Sequence, residues 1–216
     1  MIIVIQCAGK KQPNAGMMKT SDGRPVYFVG DPDRAPDDGM QYAHPEDISD
    51  TGEPWRDRVW AYNQTEPTNP LGLLPAYKLY GASAYGELVR HFGVDKVYIL
   101  SAGWGLISAT FLTPLYDITF LGQADAWKRR RNSDCYNDFC MLPSNVTEPI
   151  VFLGGKDYVL LFGKLTQTID APKTIFYRSA SKPDLAHCHA VKFHTIRSTN
   201  WHYECAAALI RGSILI

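Results

Sequence analysis

The sequence has no excess of either charge: 22 lysines and arginines are matched by 22 aspartates and glutamates. A balance of zero provides no bulk attraction to a polyanion, so any nucleic-acid contact has to come from a local patch. The opening stretch Met1–Gln6 turns polar too soon to be a signal peptide or a membrane span. The five cysteines, at 7, 135, 140, 188 and 205, lack the paired spacing of a zinc site, a disulfide framework or a CxxC redox pair. An odd count without a leader leads us to expect a cytoplasmic protein with free thiols, no metal and no cofactor. Also missing are the GxxxxGK[ST] phosphate loop, the dinucleotide glycine fingerprint, the GxSxG elbow and any serine–histidine–acid or cysteine–histidine pattern. Acyl transfer on those templates is therefore not expected.

What is present is enough for one good core. With 216 residues, 45% of them hydrophobic and 12% aromatic, we expect a single α/β domain over 1–216 with an irregular insertion at 12–74. Ile2–Gln6, Val97–Leu100, Ile150–Leu153 and Thr174–Tyr177 are short apolar runs that suit strands buried on both faces. Apolar residues at helical spacing follow Pro75, cover Tyr158–Leu165 and cover Trp201–Arg211. Strand, small-residue loop and helix recur, which predicts a mostly parallel sheet of four or five strands with helices on both faces. His187–His194 alternates like an edge strand rather than a metal-ligand cluster. The insertion carries Tyr27, Phe28, Tyr42, Trp55, Trp60 and Tyr62, too many aromatics for a free loop. It is expected to pack as a wall or lid over the site, with a short helix at Trp55–Tyr62.

In a parallel sheet the strand ends at Cys7, Ser101, Gly154 and Arg178 converge on one edge, where such sheets bind ligands. That edge gathers Cys7, Gly9, Lys10, Lys11, Ser101, Gly103, Trp104, Gly105, Lys156 and Arg178, and lets Tyr116 and Asp117 fold back among them. Lys128, Arg129, Arg130 and Arg131 form the only dense positive run, expected on a helix as a phosphate-binding face. Cations for phosphate, flat rings for stacking and one carboxylate are the parts needed to cleave an N-glycosidic bond: the carboxylate stabilises an oxocarbenium-like sugar and orients water. A base taken out of its stack is held at lower cost by an aromatic pocket.

The stretch S-A-G-W-G-L-I at 101–107, followed by T-P-L-Y-D at 113–117, resembles the S-x-x-[YW]-G-L-[LI] … P-Y segment of the YaaA-like family of prokaryotic and phage domains. Ile2–Gln6 leading into Cys7-Ala8-Gly9-Lys10-Lys11 is similar to the family's first strand and lysine-ending loop, and Tyr77–Gly93 resembles its preceding helix. The likeness covers chiefly residues 1–11 and 75–120. Leu115 stands between Pro114 and Tyr116 where the family has them adjacent, and the 12–74 insertion is extra. YaaA-like domains are similar in outline to the uracil-DNA glycosylase superfamily, which implies a three-layer sandwich and a metal-independent DNA glycosylase. The implied substrate is DNA with modified bases, such as hypermodified phage bases met in antiviral defence, acted on by a monomer. By the same resemblance Asp117 activates water or stabilises the sugar cation, and Tyr116 and Trp104 stack on the extruded base. Ser101 and the Gly103 and Gly105 amides contact base or phosphate, while Lys10 and Lys11 grip the backbone. Two alternatives remain: a nucleoside or nucleotide N-glycosyl hydrolase, and a non-catalytic DNA-binding stress-response protein.

Overall fold

A computed structural model describes residues 1–214. The chain enters through β1 (Ile2–Gln6), whose first four residues are all apolar, so it can lie buried on both faces. The insertion supplies β2 (Met18–Lys19), β3 (Pro25–Val29), β4 (Gln41–Ala43), α1 (Trp55–Thr65) and β5 (Leu74–Pro75). Helices α2 (Ala76–Leu79) and α3 (Ser83–Phe92) lead to β6 (Val97–Ser101) and β7 (Gly105–Ser108). Then come β8 (Leu112–Thr113), β9 (Tyr116–Asp117), β10 (Phe139–Cys140) and β11 (Ile150–Leu153). Helix α4 (Lys156–Thr166), β12 (Lys173–Tyr177), β13 (Cys188–Lys192) and α5 (Trp201–Ile210) complete the order.

The fold is α/β. Its main sheet runs β10-β7-β6-β1-β11-β12-β13, with β6–β7 antiparallel and every other pair parallel. Seven strands replace the four or five expected. The additional ones are β7, which begins at a glycine, and β10, which has two residues, while β13 is the half-buried edge strand expected within His187–His194. The crossovers β1–α3–β6 and β11–α4–β12 step across the sheet in opposite directions, so right-handedness puts α3 and α4 on opposite faces. Helix α5 returns to pack against α3 and β11. Among the described residues no helix is long and apolar enough to cross a membrane.

The insertion builds a second sheet, in which β3 pairs antiparallel with β2 and parallel with β4 and β9. Phe28 lies opposite Tyr116, and Val29 opposite Asp117. The expected lid is thereby corrected: this segment braces Tyr116 and Asp117 from behind, and none of residues 12–74 lines the cavity at the sheet's carboxyl edge. The helix expected from Pro75 is two helices, because Tyr80 and Ala82 are extended and Tyr80 bridges to Lys11. The basic run is likewise not a helix. After a single turn at Ala126–Lys128 the chain is extended, and the Arg130 amide donates to the Thr119 carbonyl at 2.8 Å.

Candidate functional site

The loop between β6 and β7 is tightly specified. Gly105 has φ +87°, and a Cβ there would stand 2.5 Å from the Phe139 carbonyl oxygen, so only glycine fits. The Gly103 and Trp104 amides donate to Ser101 Oγ at 3.2 and 3.1 Å. With both its lone pairs occupied, the Ser101 hydroxyl must donate onward to Tyr116 Oη at 2.8 Å, which orients the Tyr116 proton toward Tyr80 Oη at 2.9 Å. Burial pushes both phenols well above their ordinary range.

From behind, Arg56 of α1 donates to the Gly103 and Trp104 carbonyls at 2.9 and 3.3 Å. Arg130 donates to the Ala102 carbonyl at 2.8 Å and pairs with both oxygens of Asp138. Trp104 is 0% exposed, edge-on to Phe28 and Tyr116 and covered by the Arg56 guanidinium. Stacking on a ligand by Trp104 or Tyr116 is corrected accordingly: both rings belong to the core, as do Ser101, Gly103 and Gly105.

Asp117 sits at the border of this core. One of its oxygens is 3.8 Å from Lys11 Nζ and the other 3.2 Å from Lys128 Nζ. The Lys11 side chain is only 5% exposed, its ammonium 4.2 Å from the Tyr116 ring centre. Burial lowers its pKa, and the Cys7 and Asp117 charges partly offset that. Lys128 moves the other way, held up first by its hydrogen bond to Asp125 and then by Asp117. Asp117 is thus a carboxylate already flanked by two amines.

The carboxyl edge of the sheet opens beside this group into a cavity of about 540 Å³. Its floor is the end of β1, Gln6 to Lys10, and its walls come from the start of α4, the start of α5, and Thr119 and Leu121. Gln6 accepts from the Gly155 amide at 2.6 Å through Oε1, and its carbonyl accepts from Tyr85 Oη at 2.8 Å. Cys7 Sγ lies 3.2 Å from Tyr158 Oη, a phenol that burial raises well above its usual range. Tyr203 adds a phenol 3.3 Å from that of Tyr85. His202 is buried with Nε2 unpartnered among the described residues, and desolvation pulls its pKa down to about 4, so it is neutral at pH 7.

Two members of this wall are free. Lys10 and Asp157 are exposed, line the cavity and form no ion pair among the described residues. A second cavity of about 330 Å³ adjoins it, sharing Gly155, Asp157, Ser198 and Trp201 and adding Lys156 and Arg178. Lys10, Cys7, Gly9, Lys156 and Arg178 are brought together along this edge; Lys11 and Asp117 lie behind it.

The positive run is divided. Arg130 is buried in its pair with Asp138 and cannot meet a phosphate, which corrects its expected role; Lys128 is held by Asp117 and Asp125. Arg129 and Arg131 are exposed beside a polar hollow of about 290 Å³ that also holds Asp31 and Asp134. Residues that the sequence reading missed are Gln6, Tyr158, His202 and Tyr203. The last two stand far along the chain from every glycine loop, on a helix that reads as a plain amphipathic closure. No group of three or more His, Cys, Asp or Glu among the described residues is placed to hold a metal. No protein-family model, no curated protein and no solved structure matches the chain.

Proposed function

We propose that the protein is a DNA N-glycosylase that excises a modified nucleobase, with a uracil-DNA glycosylase-like three-layer arrangement around its parallel sheet. One observation carries this reading: an unpaired carboxylate, Asp157, shares a cavity of about 540 Å³ with the rings of Tyr158, Trp201 and Tyr203 and the amine of Lys10. That volume suits a nucleobase with a bulky substituent. The C1′–N bond breaks with its electron pair leaving on the base, water adds its oxygen to C1′, and the water proton ends on the departing base. A carboxylate beside C1′ lowers the barrier by stabilising the positive sugar and orienting the water.

Asp157 suits that role better than Asp117, whose charge is already balanced by Lys11 and Lys128. We assign Asp117 to holding those two amines in place. The antiviral setting follows from the resemblance to YaaA-like domains.

The test is to incubate the protein with canonical and base-modified DNA and to measure free base by mass spectrometry and abasic sites by alkali cleavage. Asp157→Asn should slow release by about 10²-fold or more while DNA binding persists. Undiminished release from that variant would refute the assignment. A second reading, hydrolysis of a free nucleoside or nucleotide, is favoured by the division of the basic run, since two of its four cations are consumed internally. It predicts base release from small molecules and none from DNA. DNA binding with no release from either would mean a non-catalytic protein.

A further inference from the structure

The cavity at the sheet edge is double, and its two chambers differ in charge. The larger has Tyr158, Trp201 and Tyr203 on the side formed by α4 and α5, with Lys10 and Asp157 as its charged residues. The smaller, of about 330 Å³, lies over the ends of the neighbouring parallel strands β11 and β12. Each of those strands sends a cation to its rim within three residues of the strand's end: Lys156 after β11 and Arg178 after β12. Both side chains are exposed, and neither makes an ion pair or side-chain hydrogen bond among the described residues. Other exposed cations, such as Lys19, Arg90 and Arg131, are also without an ion pair among the described residues; what sets Lys156 and Arg178 apart is that they line one hollow. Two free cations facing one hollow, with the Ser198 hydroxyl beside them, suit a phosphate; the Ser179 hydroxyl on the same rim already donates to the Ser181 carbonyl at 2.6 Å. The partition between the chambers includes Asp157, so a molecule spanning both places its middle portion at that carboxylate.

We propose that the smaller chamber is the subsite for a phosphate ester attached to the sugar, so that the ligand is a nucleotide unit and never a bare nucleoside. This rests on the reading of the larger chamber as a base pocket. Base, sugar and phosphate then occupy larger chamber, partition and smaller chamber in turn. The phosphate can be a free nucleotide's monoester, carrying about two negative charges at neutral pH, or a DNA strand's diester, carrying one; both offer anionic oxygens to Lys156 and Arg178.

Titration calorimetry with 2-deoxyribose 5-phosphate and with 2-deoxyribose separates the subsite from the base chemistry. The phosphorylated sugar should bind at least about tenfold more tightly. That advantage should vanish in Lys156→Ala/Arg178→Ala and persist in the exposed control Lys19→Ala. Equal binding of the two sugars, or an advantage that survives the double substitution, overturns the proposal. A short single-stranded oligonucleotide distinguishes the sources: if the phosphate is a strand's, the double variant weakens the oligonucleotide about as much as the sugar phosphate, and if it is a free nucleotide's, the oligonucleotide is unaffected. Failure to release any base while phosphate-dependent binding holds would remove the glycosylase reading alone. Base release with indifferent sugar binding would remove the subsite alone.

Discussion

The loop at 101–105 and the cavity at the β1 end are neighbours with opposite chemistry. In the loop, Ser101 spends both lone pairs and its proton, and two guanidiniums donate to the carbonyls of 102, 103 and 104, although Trp104 Nε1 and Arg130 Nε are buried without a partner among the described residues. In the cavity, Lys10, Asp157, Lys156 and Arg178 keep their charges unanswered. A polar group that is fully satisfied and inaccessible fixes shape; one that is unsatisfied and accessible is left for a ligand. The most distinctive stretch of the sequence is therefore the brace, and the less distinctive residues around it form the working surface.

Substitutions can break that contrast, and the largest effect belongs to the brace. Asp138→Ala leaves Arg130 buried without its partner and should cost about 3–5 kcal/mol, read from the denaturant midpoint. Asp157→Ala, by comparison, should stay within about 0.5 kcal/mol of the parent. If both variants prove equally stable, the division between support and surface is wrong. Ser101→Ala strips two buried amides of their acceptor and should cost about 1–3 kcal/mol. A third effect, of about the same size as that of Ser101→Ala, is in acid. The His202 imidazole is held down to about 4 by burial, while in the unfolded chain it titrates near 6.5. Between those values the unfolded chain binds the extra proton, so stability should fall as pH drops, by about 1.4 kcal/mol per unit. Above 6.5 the group contributes no slope, and His202→Phe should flatten the acid limb of a pH–stability curve.

Much of the main sheet was legible because β1, β6 and β11 each hold four apolar residues in a row and β12 holds Ile175–Tyr177. The convergence of their ends followed from parallel pairing. Strands of two residues, such as β9 and β10, carry no periodicity; only their partners define them, as Phe28 does for Tyr116. Of the site, Lys10, Lys156 and Arg178 were legible from their position after strands. The burial of Trp104 was not, since an indole beside glycines reads equally as an exposed platform, and it is Arg56, in a remote helix, that covers it. The fate of Arg130 was hidden for the same reason: its partner Asp138 lies across an irregular turn with no helical spacing to relate them.

The strand earliest in this sequence, β1, is the central one of the sheet. Its two neighbours, β6 and β11, begin at residues 97 and 150. Ile2–Ile5 therefore gain their first neighbour only when β6 has been made and their second only with β11, and closing such distant pairings is slow. Refolding should be gradual, and Ile2–Ile5, apolar and waiting for both neighbours, is where a holdase chaperone would find its grip.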